Sequence, residues 1–131
     1  MSSLTLLAVF EFLGRVFVAQ LFVIGGFRKV TDPARVKQQI TDAGIPMPAV
    51  AYPISVAADV IGSVGLLLGW HVSEVAAMLA VFTTAIAFTV HRNWSDRATL
   101  NLFMMDFTII GGLLAIAVHG AGPLSLDAWL G

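Results

Sequence analysis

Four ionisable side chains lie inside long apolar stretches of this sequence, where charged residues are uncommon. Glu11 and Arg15 are four residues apart in the first stretch, so they share one face of a helix. Asp59 lies at the centre of the second stretch, and Asp106 lies near the centre of the fourth. A charge at the centre of a membrane helix costs about 2.5–3.5 kcal/mol on insertion scales, so we expect these groups to face the interior of a helix bundle.

The chemistry open to these four residues is ligand binding, proton movement or a structural ion pair. Three acids face one arginine, which predicts that one or two acids pair with Arg15 and that at least one acid is protonated. A set of this kind binds a ligand, relays protons, or only locks the helices together. The sequence leaves these interpretations open.

Other reactive groups are scarce. The chain has no cysteine, which excludes disulfides, thiol redox chemistry and iron–sulfur ligation. His71, His91 and His119 fall at the edges of apolar stretches and show no metal-ligand spacing, so neither a metal nor a haem site is predicted. No nucleophile–base pair or phosphate loop is present, so we predict no catalytic residue and no enzyme acting alone.

The composition indicates a membrane protein. Apolar residues make up 58% of the 131 residues and charged residues 11%, and the mean hydropathy is +0.90. Soluble domains carry about 25% charged residues, and a soluble domain of this size could not bury so much apolar surface. The lipid bilayer is therefore the predicted environment. The net charge of −1 and the lack of a basic tract argue against a nucleic-acid partner.

Four apolar stretches have the length of membrane helices: residues 4–27, 49–70, 73–90 and 100–118. A helix needs about 20 residues to cross a bilayer, and only helices satisfy their backbone within lipid. Asp32-Pro33 and Gly44 bound a short helix over residues 33–43 that we expect at the membrane interface. The predicted fold is all-α: residues 1–131 form a single integral membrane domain, a four-helix bundle with an interfacial helix between spans one and two.

The loop charges predict an orientation. Of the seven Lys and Arg residues, six lie in the first and third loops: Arg28, Lys29, Arg35, Lys37, Arg92 and Arg97. The positive-inside rule places these loops in the cytoplasm. Both termini are therefore expected outside the cytoplasm.

Several short motifs lie in a fixed order along nearly the whole chain. They are Arg15, Gly25-Gly26-Phe27-Arg28-Lys29, Ala43-Gly44-Ile45-Pro46, Asp59 with Gly62, His91 with Trp94, and a glycine- and proline-containing tail over residues 120–127. In these motifs the sequence resembles the DoxX family of small four-span bacterial membrane proteins. The family more often has glutamate where this chain has Asp59.

The resemblance implies a location in the bacterial inner (plasma) membrane and an association with redox systems. Relatives occur as subunits of a thiosulfate:quinone oxidoreductase and alongside oxidative-stress enzymes. Our first hypothesis is a non-catalytic subunit or anchor that binds a quinone. Arg15 or Asp59 would form a hydrogen bond with a quinone carbonyl. We expect no covalently bound cofactor, and either a redox protein or a second copy (a homo-oligomer) as partner.

Two other functions fit the same residues. One is a proton-coupled carrier that uses Glu11, Asp59 and Asp106 as a relay, which four short spans would achieve only as an oligomer. The other is a membrane chaperone or assembly factor that binds the helices of another protein.

Overall fold

The computed structural model describes residues 3–130, which form helices and no strands. The four long helices are α1 (Ser3–Thr31), α3 (Pro48–Leu68), α4 (Val72–Thr89) and α5 (Arg97–His119), and the two short ones are α2 (Pro33–Asp42) and α6 (Leu126–Leu130). Each long helix is long and apolar enough to cross a membrane. The predicted fold class, four apolar helices with a short helix between the first two, is confirmed.

The largest difference in helix bounds is at the end of α1. The predicted span ends at Phe27, whereas the helix continues to Thr31 and so includes Arg28 and Lys29. The extension contains neither glycine nor proline, so nothing in it breaks the helix. The following Asp32-Pro33 ends the helix because a residue before proline avoids the helical region. Asp32 then caps α2, accepting a hydrogen bond from the Arg35 amide at 3.3 Å.

The long helices pack in the order α1, α3, α4, α5, and α1 and α5 touch only at a few residues. We call the end of the bundle that carries α2 and the α4–α5 connection the loop end. The opposite end, with the start of α1, the α3–α4 turn and α6, is the tail end. The buried core between the helices includes Ala19, Phe22, Leu66, Leu79 and Leu113.

Two glycines allow α3 to approach α4 closely. A Cβ atom at Gly62 would lie 2.6 Å from Leu79 Cδ1, and one at Gly65 would lie 2.8 Å from Val75 Cγ2. Small residues at such contacts let membrane helices gain van der Waals packing. The face of α3 that holds Gly62 also holds Asp59 and Ser63, and all three are buried. This face therefore points to the bundle interior, as the sequence predicts.

Candidate functional site

The four predicted site residues are divided between the two ends of the bundle. Arg15, Asp59 and Asp106 are all buried, with exposed fractions of 2%, 3% and 8%. Arg15 contacts the last turns of α3, whereas Asp59 lies against Gly26 of α1. Arg15 and Gly26 are eleven residues apart on α1, about 16 Å along the helix axis. Asp59 is therefore not among the acids that pair with Arg15, because the antiparallel register of α1 and α3 places the two residues at different depths.

At the tail end, Arg15 bonds to backbone carbonyls. Its Nη1 donates to the Leu66 carbonyl at 2.8 Å, and its Nη2 donates to the Leu124 carbonyl. Leu66 is in the last turn of α3, where carbonyl groups have no partner within the helix. The carboxylates of Asp127 and Glu11 also interact electrostatically with this guanidinium group. Arg15 thus ties the end of α3 to the chain segment that follows α5.

That segment closes the tail end through Asp127. The Asp127 carboxylate accepts hydrogen bonds from the amides of His71 at 2.7 Å and Val72 at 2.9 Å, which begin α4. The Asp127 amide donates to the Gly69 carbonyl at 2.8 Å. Glu11 packs on the same segment, so closely that a Cβ atom at Gly122 would overlap its carboxylate. Glu11 and Arg15 therefore belong to a structural joint that holds α1, α3, α4 and the C-terminal segment together.

At the loop end, Asp59 is paired with Lys29. The Lys29 ammonium lies 2.8 Å from Asp59 Oδ2, and the two side chains are 18% and 4% exposed. The ammonium also donates to the Ser55 hydroxyl, and Tyr52 Oη donates to the Lys29 carbonyl at 2.7 Å. Gly26 makes room for the acid, since a Cβ atom there would lie 3.2 Å from Asp59 Cβ. The pair joins α1 to α3.

Asp106 is paired with His91 at the same end. His91 Nδ1 lies 2.5 Å from Asp106 Oδ2, and the side chains are 20% and 11% exposed. His91 follows the end of α4, and Asp106 projects from α5. A carboxylate on one ring nitrogen fixes the orientation of an imidazole and leaves the other nitrogen for a ligand. With Nδ1 held by Asp106, Nε2 is the nitrogen that can bind a further group.

A cavity of about 540 Å³ lies between these two pairs and helix α2. Apolar side chains form most of its wall, and the polar lining residues are Lys29, Gln39, Ser55, Thr89 and His91. Ligand pockets are commonly about 300–1,000 Å³ and combine apolar walls with a few polar groups. Val36 and Ile40 line the cavity from α2, so this helix covers it with its apolar side. The cavity can hold a small, mainly apolar molecule that carries hydrogen-bonding groups.

Lys29 and His91 are not among the site residues predicted from the sequence, because both fall just outside the predicted spans, at the membrane surface. A signal for Lys29 was present: Phe22, Gly26 and Lys29 are spaced by four and three residues, which puts them on one helix face. That signal depends on α1 continuing past Phe27. His91 carries no comparable signal, because its contact with Asp106 depends on how α4 and α5 pack.

Comparison with known proteins identifies the family. The DoxX family model matches residues 10–92, more than half of the chain. The chain belongs to the DoxX family. The match includes Lys29, Asp59 and His91, whereas Asp106 lies beyond it. Together with the four apolar helices, it makes the chain a multi-pass integral membrane protein of this family.

Two curated proteins of Escherichia coli K12 are similar to this DoxX protein over most of their length. Inner membrane protein YqjF is 30% identical over 116 residues, which cover 88% of each chain. Inner membrane protein YphA is 29% identical over 120 residues, which cover 88% of this chain and 86% of YphA. A search of solved structures finds no significant match.

Proposed function

We propose that this DoxX protein is a non-catalytic membrane subunit that binds a quinone in the loop-end cavity and serves a redox partner. The inner-membrane location named for both E. coli relatives supports the same location for this chain. The observation that carries the proposal is a mainly apolar cavity whose lining includes two basic side chains, Lys29 and His91, each paired with a buried acid.

The polar groups suit the two ends of a quinone ring. An ammonium group donates hydrogen bonds, so Lys29 would bind one quinone carbonyl. The imidazole Nε2 of His91 donates or accepts according to its protonation, so it would bind a carbonyl or the hydroxyl of a quinol. Apolar lining residues such as Ile54 and Phe82 would contact the ring and the start of its chain. Lys29 takes the role predicted from the sequence for Arg15 or Asp59. The donors of Arg15 bond to carbonyls at the tail end, and Asp59 is paired with Lys29.

A direct test is titration of the purified protein with a short-chain quinone in detergent. Two alanines of α3 provide a matched pair of variants: Ala51 lines the cavity, whereas Ala57 is exposed and outside it. We expect saturable binding to the unmodified protein. Ala51→Phe fills the cavity and should weaken binding at least tenfold, and Ala57→Phe should leave it unchanged.

Other results would count against a quinone site. If the unmodified protein shows no saturable binding, or if both variants bind equally well, the quinone is not held in this cavity. The helix content and unfolding midpoint of each variant, followed by circular dichroism, show whether a loss of binding comes from a loss of structure.

A further inference from the structure

The exposed face of α1 carries an amide at membrane depth. Gln20 is exposed, and its side chain has no hydrogen-bond partner within residues 3–130. Its depth follows from the contacts on either side of it: Arg15 contacts Leu66 of α3, and Gly26 contacts Asp59. Gln20 therefore lies at a depth between Leu66 and Asp59, within the hydrocarbon layer.

A primary amide is poorly solvated at that depth. It has two donor hydrogens and an acceptor oxygen, and lipid tails bond to none of them. Unsatisfied polar groups in hydrocarbon are costly, so the amide is expected to find a partner.

The surroundings of Gln20 within one copy of the chain provide few hydrogen-bond partners for this amide. Gln20 lies on a groove of about 380 Å³ between α1 and α5 that is otherwise mostly apolar. The other polar side chain of the groove is Thr108, whose hydroxyl donates to the Met104 carbonyl of its own helix at 3.1 Å. Gly112 also lines the groove, and a small residue there lets another helix approach closely.

We propose that a second copy of this chain binds along the α1–α5 groove, with the two Gln20 amides hydrogen-bonded to each other across a two-fold axis. An amide is self-complementary, because each can donate to the oxygen of the other. A two-fold axis along the membrane normal places residue 20 of both copies at the same depth and makes the contact isologous. Such side-chain bonds between membrane helices stabilise their association.

Cysteine cross-linking in membranes tests this interface, because the chain has no cysteine of its own. Phe17 and Ile24 flank Gln20 on the groove, whereas Val81 of α4 is 72% exposed on another face. We expect Phe17→Cys or Ile24→Cys to form a disulfide-linked dimer on oxidation, and Val81→Cys to form none. Adding Gln20→Leu should reduce the dimer at least tenfold, and adding Gln20→Asn should reduce it less.

Several results would overturn the proposal. They are the absence of cross-links from both α1 positions, equal cross-linking from Val81→Cys, cross-linking to a different protein, and a dimer unaffected by Gln20→Leu. Light scattering of the purified protein gives a second measurement, in which the unmodified chain should have twice the mass of Gln20→Leu. Gln20 is outside the loop-end cavity, so quinone titration of Gln20→Leu reports on the proposed function separately.

Discussion

At the scale of single residues, the buried ionisable groups have separate local partners and do not form one cluster. The sequence places one base, Arg15, against three acids inside the spans, which predicts a neutral acid. Lys29 and His91 are two further bases at the loop end, each within 2.8 Å of a buried carboxylate oxygen. Each of the acids Asp59 and Asp106 therefore has its own basic partner. A charge count limited to the predicted spans misses these partners.

Removing Lys29 should destabilise the protein strongly. Lys29→Met leaves Asp59 buried without its partner, and breaking a buried ion pair from one side costs about 3–5 kcal/mol. The matched control is Arg28→Met, since Arg28 is the exposed neighbour on the same helix. Denaturant unfolding in detergent, followed by circular dichroism, measures the difference. Equal unfolding midpoints for the two variants would mean that the ion pair contributes nothing to stability.

At the scale of secondary structure elements, the C-terminal segment holds helices together at the tail end. Asp127 caps the first amides of α4, and Leu124 accepts a hydrogen bond from the buried Arg15. Helix α4 begins after His71, whose φ of 48° is left-handed, and His71 supplies no side-chain cap. A residue 56 positions away in sequence therefore supplies the cap that the local sequence lacks.

Loss of the Asp127 cap should weaken the start of α4. We expect Asp127→Ala to cost about 1 kcal/mol, as is typical for a helix N-cap, and to speed hydrogen exchange at the amides of His71 and Val72. Glu74→Ala is the control, because Glu74 is an acid in the first turn of α4 whose side chain is 75% exposed. If Glu74→Ala accelerates exchange as much as Asp127→Ala does, general charge rather than capping stabilises this turn.

The contact between α3 and α4 should tolerate no added volume at Gly62. Gly62→Ala would force its Cβ against Leu79, and overpacking of this kind costs about 1–3 kcal/mol. Gly111→Ala is a control, because a Cβ at Gly111 meets nothing within 4 Å. Combining Gly62→Ala with Leu79→Ala should cost less than the sum of the two single changes. Additive unfolding free energies would contradict a direct contact between these residues.

At the scale of the whole molecule, the two ends of the bundle differ in their construction. The tail end is closed by backbone and carboxylate contacts from the C-terminal segment. The loop end contains the cavity. It also holds the six basic residues that predict the cytoplasmic side, which lie in the last turn of α1, in α2, in the α4–α5 connection and at the start of α5. If that orientation holds, the cavity opens near the cytoplasmic face of the membrane.

The orientation can be measured by thiol labelling. We expect Ala128→Cys, at the exposed tail end, to react with a membrane-impermeant maleimide in intact spheroplasts. Lys37→Cys, in α2 at the loop end, should react only after the membrane is permeabilised. The reverse pattern would place both termini in the cytoplasm and would contradict the positive-inside prediction.

The sequence by itself determines the four spans and the helix between them. Apolar stretches of sufficient length are stable in lipid only as helices. Asp32-Pro33 and Gly44 mark the start and the end of the short helix between the first two spans. It also determines that Arg15, Asp59 and Asp106 face inward, because lipid does not solvate charge. The span positions and the inward-facing charges depend on the local sequence and on the lipid solvent, so they can be predicted without knowing how the helices pack.

The partners of those charges were decided only by the tertiary structure. The register of α1 against α3 sets Lys29, not Arg15, beside Asp59, and the packing of α4 on α5 brings His91 to Asp106. The chain segment that follows α5 then provides the contacts of Arg15 and Glu11 at the tail end. Sequence spacing fixes which residues share a helix face, but the axial offset between two helices depends on side-chain packing along their whole contact.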